Sequence, residues 1–96
     1  MGNSKKLSNE AVQGLLQQYP NWQLQNGKLY RRLVFEDFIH AFGFIIQLAM
    51  LAEKANHHPE WANIYCTVDV FLTTHDVDGI SEKDIELLNH IERIIQ

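Results

Sequence analysis

The chain has almost no means of covalent bracing. Cys66 is the only cysteine among 96 residues, so no disulfide can close within one copy. A lone thiol fits a reducing compartment better than a secreted scaffold, and the expected location is cytoplasmic. Two prolines and five glycines exclude a collagen-like or low-complexity chain. Positive charge is also scarce, with eight Lys and Arg against twelve Asp and Glu. The basic pairs Lys5-Lys6 and Arg31-Arg32 make neither a patch nor a stripe, so direct nucleic-acid binding is not expected. Met1 to Lys6 is polar, lacks the apolar run of a secretory signal, and is expected to be a mobile tail before one domain over residues 7–96. The most apolar stretch without a full charge, Phe38 to Ala52, contains His40 and Gln47. It falls short of the ~20 apolar residues of a membrane span. It reads as a buried helix, with no membrane partner.

What is present is an ordinary globular balance. A chain this short buries only roughly 60–65% of its unfolded surface. Association between copies is therefore a natural further source of stability.

Element signals are clear along the chain. Ser8 is a natural N-cap, and Leu7 with Val12 has hydrophobic-staple spacing. Val12, Leu15, Leu16 and Tyr19 give the first helix one apolar face, and Pro20 ends it. Asn26-Gly27 marks a hairpin turn, because both positions favour positive φ. The return strand runs from Lys28 to Val34. A long helix is expected over residues 36–55, with Glu36 and Asp37 in its first turn. Phe35, Phe38, Ile39, Phe42, Ile45, Ile46 and Ala49 form one helical stripe. Phe44, Leu48, Leu51 and Ala55 form a second. One stripe suffices to cover a sheet, so the second is expected to meet another subunit. From Trp61 to Thr74 the pattern is extended, either one long strand or two with a turn near Tyr65-Cys66. Asp78-Gly79 marks a turn. Ser81 with Asp84 has capping-box spacing for a last helix whose apolar face is Leu87, Leu88, Ile91, Ile94 and Ile95. Antiparallel strands interleaved with helices imply an α+β sandwich with helices on one sheet face.

Five histidines are many for this length. His40 and His90 lie within helices and read as surface or packing residues. His57 and His58 follow the long helix, and His75 ends the late strand, where sites tend to be built. Histidine is the natural proton donor and acceptor near neutral pH. Adjacent histidines before proline also serve as a plain helix stop. Three histidines can hold zinc, yet neighbours rarely aim both rings at one ion and no HExxH or CxxC pattern is present, so no metal is expected. Cys66 has no activating neighbour and reads as structural. Asp76-Val77-Asp78-Gly79 lacks the length and closing glutamate of a calcium loop. Asp84 reads as a cap, and also as a carboxylate near enough to His75 in sequence to line a shared pocket. Trp61 beside the His-His-Pro turn is placed to stack on a flat heterocycle or to join the core.

Three segments carry a specific resemblance. They are Glu53-Lys54-Ala55-Asn56-His57-His58-Pro59-Glu60-Trp61, Thr73-Thr74-His75-Asp76, and Gly79-Ile80-Ser81-Glu82-Lys83-Asp84-Ile85. Together with Phe35-Glu36-Asp37-Phe38 and Ala41-Phe42-Gly43-Phe44, they resemble the pterin-4a-carbinolamine dehydratases over about residues 7 to 95. The resemblance implies a four-stranded antiparallel sheet in the order α-β-β-α-β-β-α, with Trp61 to Thr74 as a hairpin. It implies homodimers or homotetramers through the long helix and sheet. It implies a lyase that dehydrates a 4a-hydroxytetrahydropterin, such as 4a-hydroxytetrahydrobiopterin, to the quinonoid dihydropterin in pterin recycling, without cofactor or metal. His57, His58 and His75 match the family's site histidines, and His57 and His75 are read as the proton-transfer pair. Glu53, Trp61 and Asp84 match substrate-binding positions. Many relatives carry aspartate where Asn56 stands and asparagine where Cys66 stands. The rival expectation is a protein-binding dimerisation module, like a transcriptional coactivator, using the helix face of Phe44, Leu48 and Leu51.

Overall fold

The computed structural model describes residues 5–96. Of the expected N-terminal tail, residues 1–4 lie outside the described residues. The elements in order are α1 (Asn9–Gln18), β1 (Gln23–Gln25), β2 (Lys28–Val34), α2 (Phe38–Ala55), β3 (Glu60–Ile64), β4 (Thr67–Leu72) and α3 (Glu82–Ile94), with a short 3₁₀ turn at His75–Val77.

Local chemistry sets the ends of these elements. Ser8 Oγ accepts the Ala11 N–H at 3.1 Å and caps α1. Asn26 and Gly27 have φ of 54° and 77°, the left-handed pair that a two-residue hairpin requires. The hairpin reading of 61–74 also holds, since β3 and β4 pair antiparallel from Glu60↔Phe71 to Ile64↔Thr67. Asn63 Nδ2 braces that turn by donating to the Tyr65 and Thr67 carbonyls, each at 3.0 Å.

The strand order is β1-β2-β4-β3, and every pairing is antiparallel. Because side chains alternate across a strand, Leu29, Leu33, Val68, Val70 and Leu72 all point to one face. There they are buried with Val12, Leu15, Trp22, Phe44, Leu48, Leu87, Leu88 and Ile91. The helices supply the other half of this core. Trp22 Nε1 donates to Glu92 Oε2 at 2.8 Å and Tyr19 Oη to Asn89 Oδ1 at 3.0 Å, tying the end of α1 to α3. The opposite sheet face carries Tyr30 and Arg32, which both donate to Asp69.

Two expectations about α2 need correction. The helix begins at Phe38 and not at Glu36. Asp37 is extended (φ −160°) and serves as the N-cap, accepting the His40 N–H at 2.8 Å. A carboxylate is more effective there than one residue further in, because it satisfies a free N–H directly. The two apolar stripes are also assigned the other way round. Phe44 and Leu48 face the core, Leu48 at 0% exposure. The free row is Phe38, Ile39, Phe42, Ile46 and Met50. Helical period alone yields both stripes, and only the docking against β4 and α3 decides which is covered.

By length and composition α2 is apolar enough to cross a membrane, with 18 residues. Its Ala41, Phe44, Ile45, Leu48 and Ala52 are nonetheless buried against the rest of the chain.

The cap of α2 gives a pH prediction. His40 Nδ1 lies 2.7 Å from Asp37 Oδ1. That hydrogen bond raises the His40 pKa above its usual 6.5, with the charges of Asp37 and then Glu36 adding to it. The His40 N–H, then its ring, hold Asp37 below the usual 3.8. The ring contact therefore adds its full stability below pH 6.5 and loses it as pH rises through the raised value. On the acid side it is lost as pH falls through Asp37's depressed value. His40→Ala should lower the Tm between those two limits, and thermal melts should show the gap narrowing at alkaline pH.

Candidate active site

The end of α2, the start of β3, the end of β4 and the start of α3 meet at one end of the sheet. Asn56 ends α2 in the left-handed conformation (φ 53°, ψ 41°), which asparagine adopts more readily than most residues. Its N–H donates back to the Glu53 carbonyl at 3.2 Å, and the His57 N–H to the Ala52 carbonyl at 3.0 Å. This tight exit turns His57 and His58 off the helix axis. Pro59 is buried and leads straight into β3. Opposite them, Thr74 and Gly79 exchange backbone hydrogen bonds at 2.7 and 3.3 Å. These pinch the 75–78 turn, and Asp78 takes the left-handed conformation (φ 52°) that closes it. The pinch presents His75 to the same cleft.

That cleft has a volume of about 250 Å³ and is lined by Asn56, His57, His58, Thr73, Thr74, His75, Asp76 and Lys83. The three sequence-selected histidines therefore come together from two separate chain segments. Asp84 lies beneath them, fully buried at 0% exposure, with Oδ1 2.7 Å from His57 Nε2. Its Oδ2 accepts the Thr74 hydroxyl at 2.8 Å and the Ser81 N–H at 3.0 Å. The Thr74 and Ser81 hydroxyl oxygens lie 2.7 Å apart, and Ser81 Oγ accepts the Lys83 N–H at 3.2 Å. The capping box read from sequence is present. It also has a second role, because the carboxylate that caps α3 orients a histidine.

Every partner of Asp84 is a donor or can be one, and its two oxygens can accept from all three. With Nε2–H of His57 donating to it, the lone pair on Nδ1 is free to take a proton. An imidazole held this way beside an open cleft has the chemistry of a proton acceptor.

Glu53 Oε1 lies 3.2 Å from His58 Nε2 on an otherwise exposed side chain. Trp61 stands on the edge strand β3, paired in register with Val70, and is partly exposed outside the cleft lining. His90 is half-buried on α3, away from the cleft. The sequence pattern does not single out Thr73, Thr74, Lys83 or Glu60. Thr74 stands in the Thr-Thr-His-Asp motif, yet its bond to Asp84 spans a loop that local patterning does not describe. Among the described residues, the one His/Asp/Glu group with ligand atoms close enough to share a metal is Glu36, Asp37 and His40. That group is at the N-terminus of α2 and does not include the histidine trio.

Comparison with known proteins shows the family and the fold. Residues 5–94 match the family model described as pterin 4 alpha carbinolamine dehydratase. A Prochlorococcus marinus (strain MIT 9313) protein provisionally named pterin-4-alpha-carbinolamine dehydratase is 45% identical over 85 residues, 88% of each chain. A Solibacter usitatus protein with the same provisional name is 46% identical over 89 residues, 93% of this chain and 94% of its own. A crystal structure described as a transcriptional coactivator/pterin dehydratase from Brucella melitensis superposes with a TM-score of 0.88 at 40% identity. It covers 93% of this chain and 97% of its own. The match runs through every element that builds the cleft, and the chain belongs to the pterin 4 alpha carbinolamine dehydratase family.

Proposed function

We propose that this chain dehydrates a 4a-hydroxytetrahydropterin to the quinonoid dihydropterin. The observation that carries the reading is the buried Asp84 held 2.7 Å from His57, behind the ring that lines a three-histidine cleft. In the reaction the C4a–O bond breaks, the N5 proton leaves, a C4a=N5 double bond forms and water departs. His57 Nδ1 takes the N5 proton, with Asp84 fixing the tautomer and stabilising the imidazolium that forms. His75, across the cleft, delivers a proton to the leaving hydroxyl. His58 holds and polarises the ring system. Proton transfer by positioned groups is worth typically ~10²–10⁴-fold each. The test is the absorbance-followed dehydration of freshly generated 4a-hydroxytetrahydropterin. Acceleration by the purified chain supports the reading, and no acceleration by the folded chain removes it.

A second copy of this chain covers the free α2 row. Phe38, Ile39, Phe42, Ile46 and Met50 are exposed side by side along one face, a contiguous apolar strip of the kind that marks an interface. The chain's small size gives it a use for that contact. Ile46→Asp should reduce the assembly to smaller species in light scattering. An unchanged mass would remove this face from self-association and leave it open to a different protein.

A further inference from the structure

We propose that Glu60, held by Lys28, is the positioning residue for His75. Its effect on turnover rests on the dehydratase reading, while its geometry does not. Each cleft histidine has one carboxylate beside it. Asp84 stands 2.7 Å from His57, Glu53 3.2 Å from His58, and Glu60 3.7 Å from His75 Nε2. Glu60 differs from Glu53 in being fastened. Lys28 Nζ donates to its Oε1 at 2.8 Å and to its Oε2 at 3.0 Å.

The sheet explains why these groups meet. Tyr30, Phe71 and Glu60 are aligned across β2, β4 and β3, so all three side chains are on the open face. Lys28 lies two residues before Tyr30 on the same face of β2 and reaches across β4 to Glu60. Both strands start at the end of the sheet where β4 runs out toward His75.

His75 needs a holder. Its side chain is 77% exposed, and among the described residues no hydrogen bond fixes its ring. It stands between two clefts, the histidine cleft and a smaller one lined by Asn26, Gly27, Lys28, Thr73, Asp78 and Gly79. A free imidazole would divide its time between them. A separation of 3.7 Å is too long for a hydrogen bond, and such contacts are often loose until substrate is bound. Closing to the ~2.9 Å of an N–H···O bond ties Nε2 to Glu60. Nδ1 is then the ring atom that exchanges a proton with substrate. An exposed lysine–glutamate pair does little for folding, so its consequence lies in where it aims the ring.

The test compares wild type with Glu60→Ala and Lys28→Met by dehydration kinetics and by ¹⁵N resonances of the histidine rings. Glu60→Ala should lower kcat about 10-fold, the low end of what losing a carboxylate behind a metal-bound histidine costs, with KM unchanged. Lys28→Met should give a smaller loss. In both variants the His75 ring resonances should move toward a mixed tautomer while those of His57 stay in place. A fall in kcat with unmoved His75 resonances overturns the proposal, and so does a resonance shift with unchanged kcat. If wild type itself fails to accelerate dehydration, the dehydratase reading is lost. The coupling of Glu60 to His75 then stands or falls on the ring resonances alone.

Discussion

His57→Ala is expected to lower the dehydration rate by about 10²–10⁴-fold, the range for a positioned general base. The argument rests on the ring's geometry. His57 Nε2 is committed to Asp84, and the side chain is only 11% exposed, so the ring has one orientation and one nitrogen left for chemistry. Water that fills the vacated space is a weaker and unaimed base. The fold should survive, because the backbone bond from the His57 N–H to Ala52 remains and the space opens toward the cleft, where Asp84 can be solvated. Stopped-flow absorbance on a variant with a preserved circular dichroism spectrum checks this. A near-normal rate would take His57 out of the proton path and shift the base to His58 or His75.

Asp84→Ala is expected to damage both fold and activity. Three groups lose a partner at once, the Thr74 hydroxyl, the Ser81 N–H and the His57 ring, and while the hydroxyl can turn to Ser81 Oγ at 2.7 Å, the Ser81 N–H is left without an acceptor. Thr74 and Ser81 are buried, at 2% and 0% exposure, so water cannot readily replace the lost bonds. Leaving a buried donor unsatisfied costs roughly 1–3 kcal/mol. Loss of the reciprocal α3 cap falls within the same bonds and is not an additional sum. A total near ~3 kcal/mol is large against the ~5–15 kcal/mol of a small domain. Urea unfolding should show the midpoint fall with an unchanged slope. Asp84→Asn separates the two roles. Its carbonyl oxygen keeps one acceptor in the buried network, so most of the stability should return. Its amide cannot stabilise an imidazolium, so turnover should stay low. Recovery of both would confine Asp84 to capping.

Much of the architecture was legible because its signals are short-range. Ser8 and Ala11, or Ser81 and Asp84, are three residues apart, and their bonds follow from identity and spacing. The Asn26-Gly27 turn needs only the backbone freedom of those two residues. Along β4 the buried Val68, Val70 and Leu72 alternate with Thr67, Asp69 and Phe71, a pattern carried by adjacent residues alone. Where the signal was two-sided, reading failed. α2 is apolar around most of its circumference, so period alone supported either stripe as the covered one. Glu36 and Asp37 both suited a helix start, and the choice of cap turned on one backbone angle.

The site divides along the same line. The sequence by itself determined the chemical inventory: three histidines at the ends of elements and a carboxylate in a capping box. Those follow from residue type and separations of a few positions. The tertiary structure alone decided how they connect. Thr74 reaches Asp84 across 10 positions, His57 reaches it across 27, and Lys28 reaches Glu60 across 32. The two bonds to Asp84 are set by the docking of α3 against α2 and the end of β4, and the Lys28–Glu60 pair by the antiparallel register of β2, β4 and β3. That register is chosen by burying the alternating apolar face beneath the helices. A cap is a local bond and can be read in place, whereas an aimed imidazole results from packing across the whole domain.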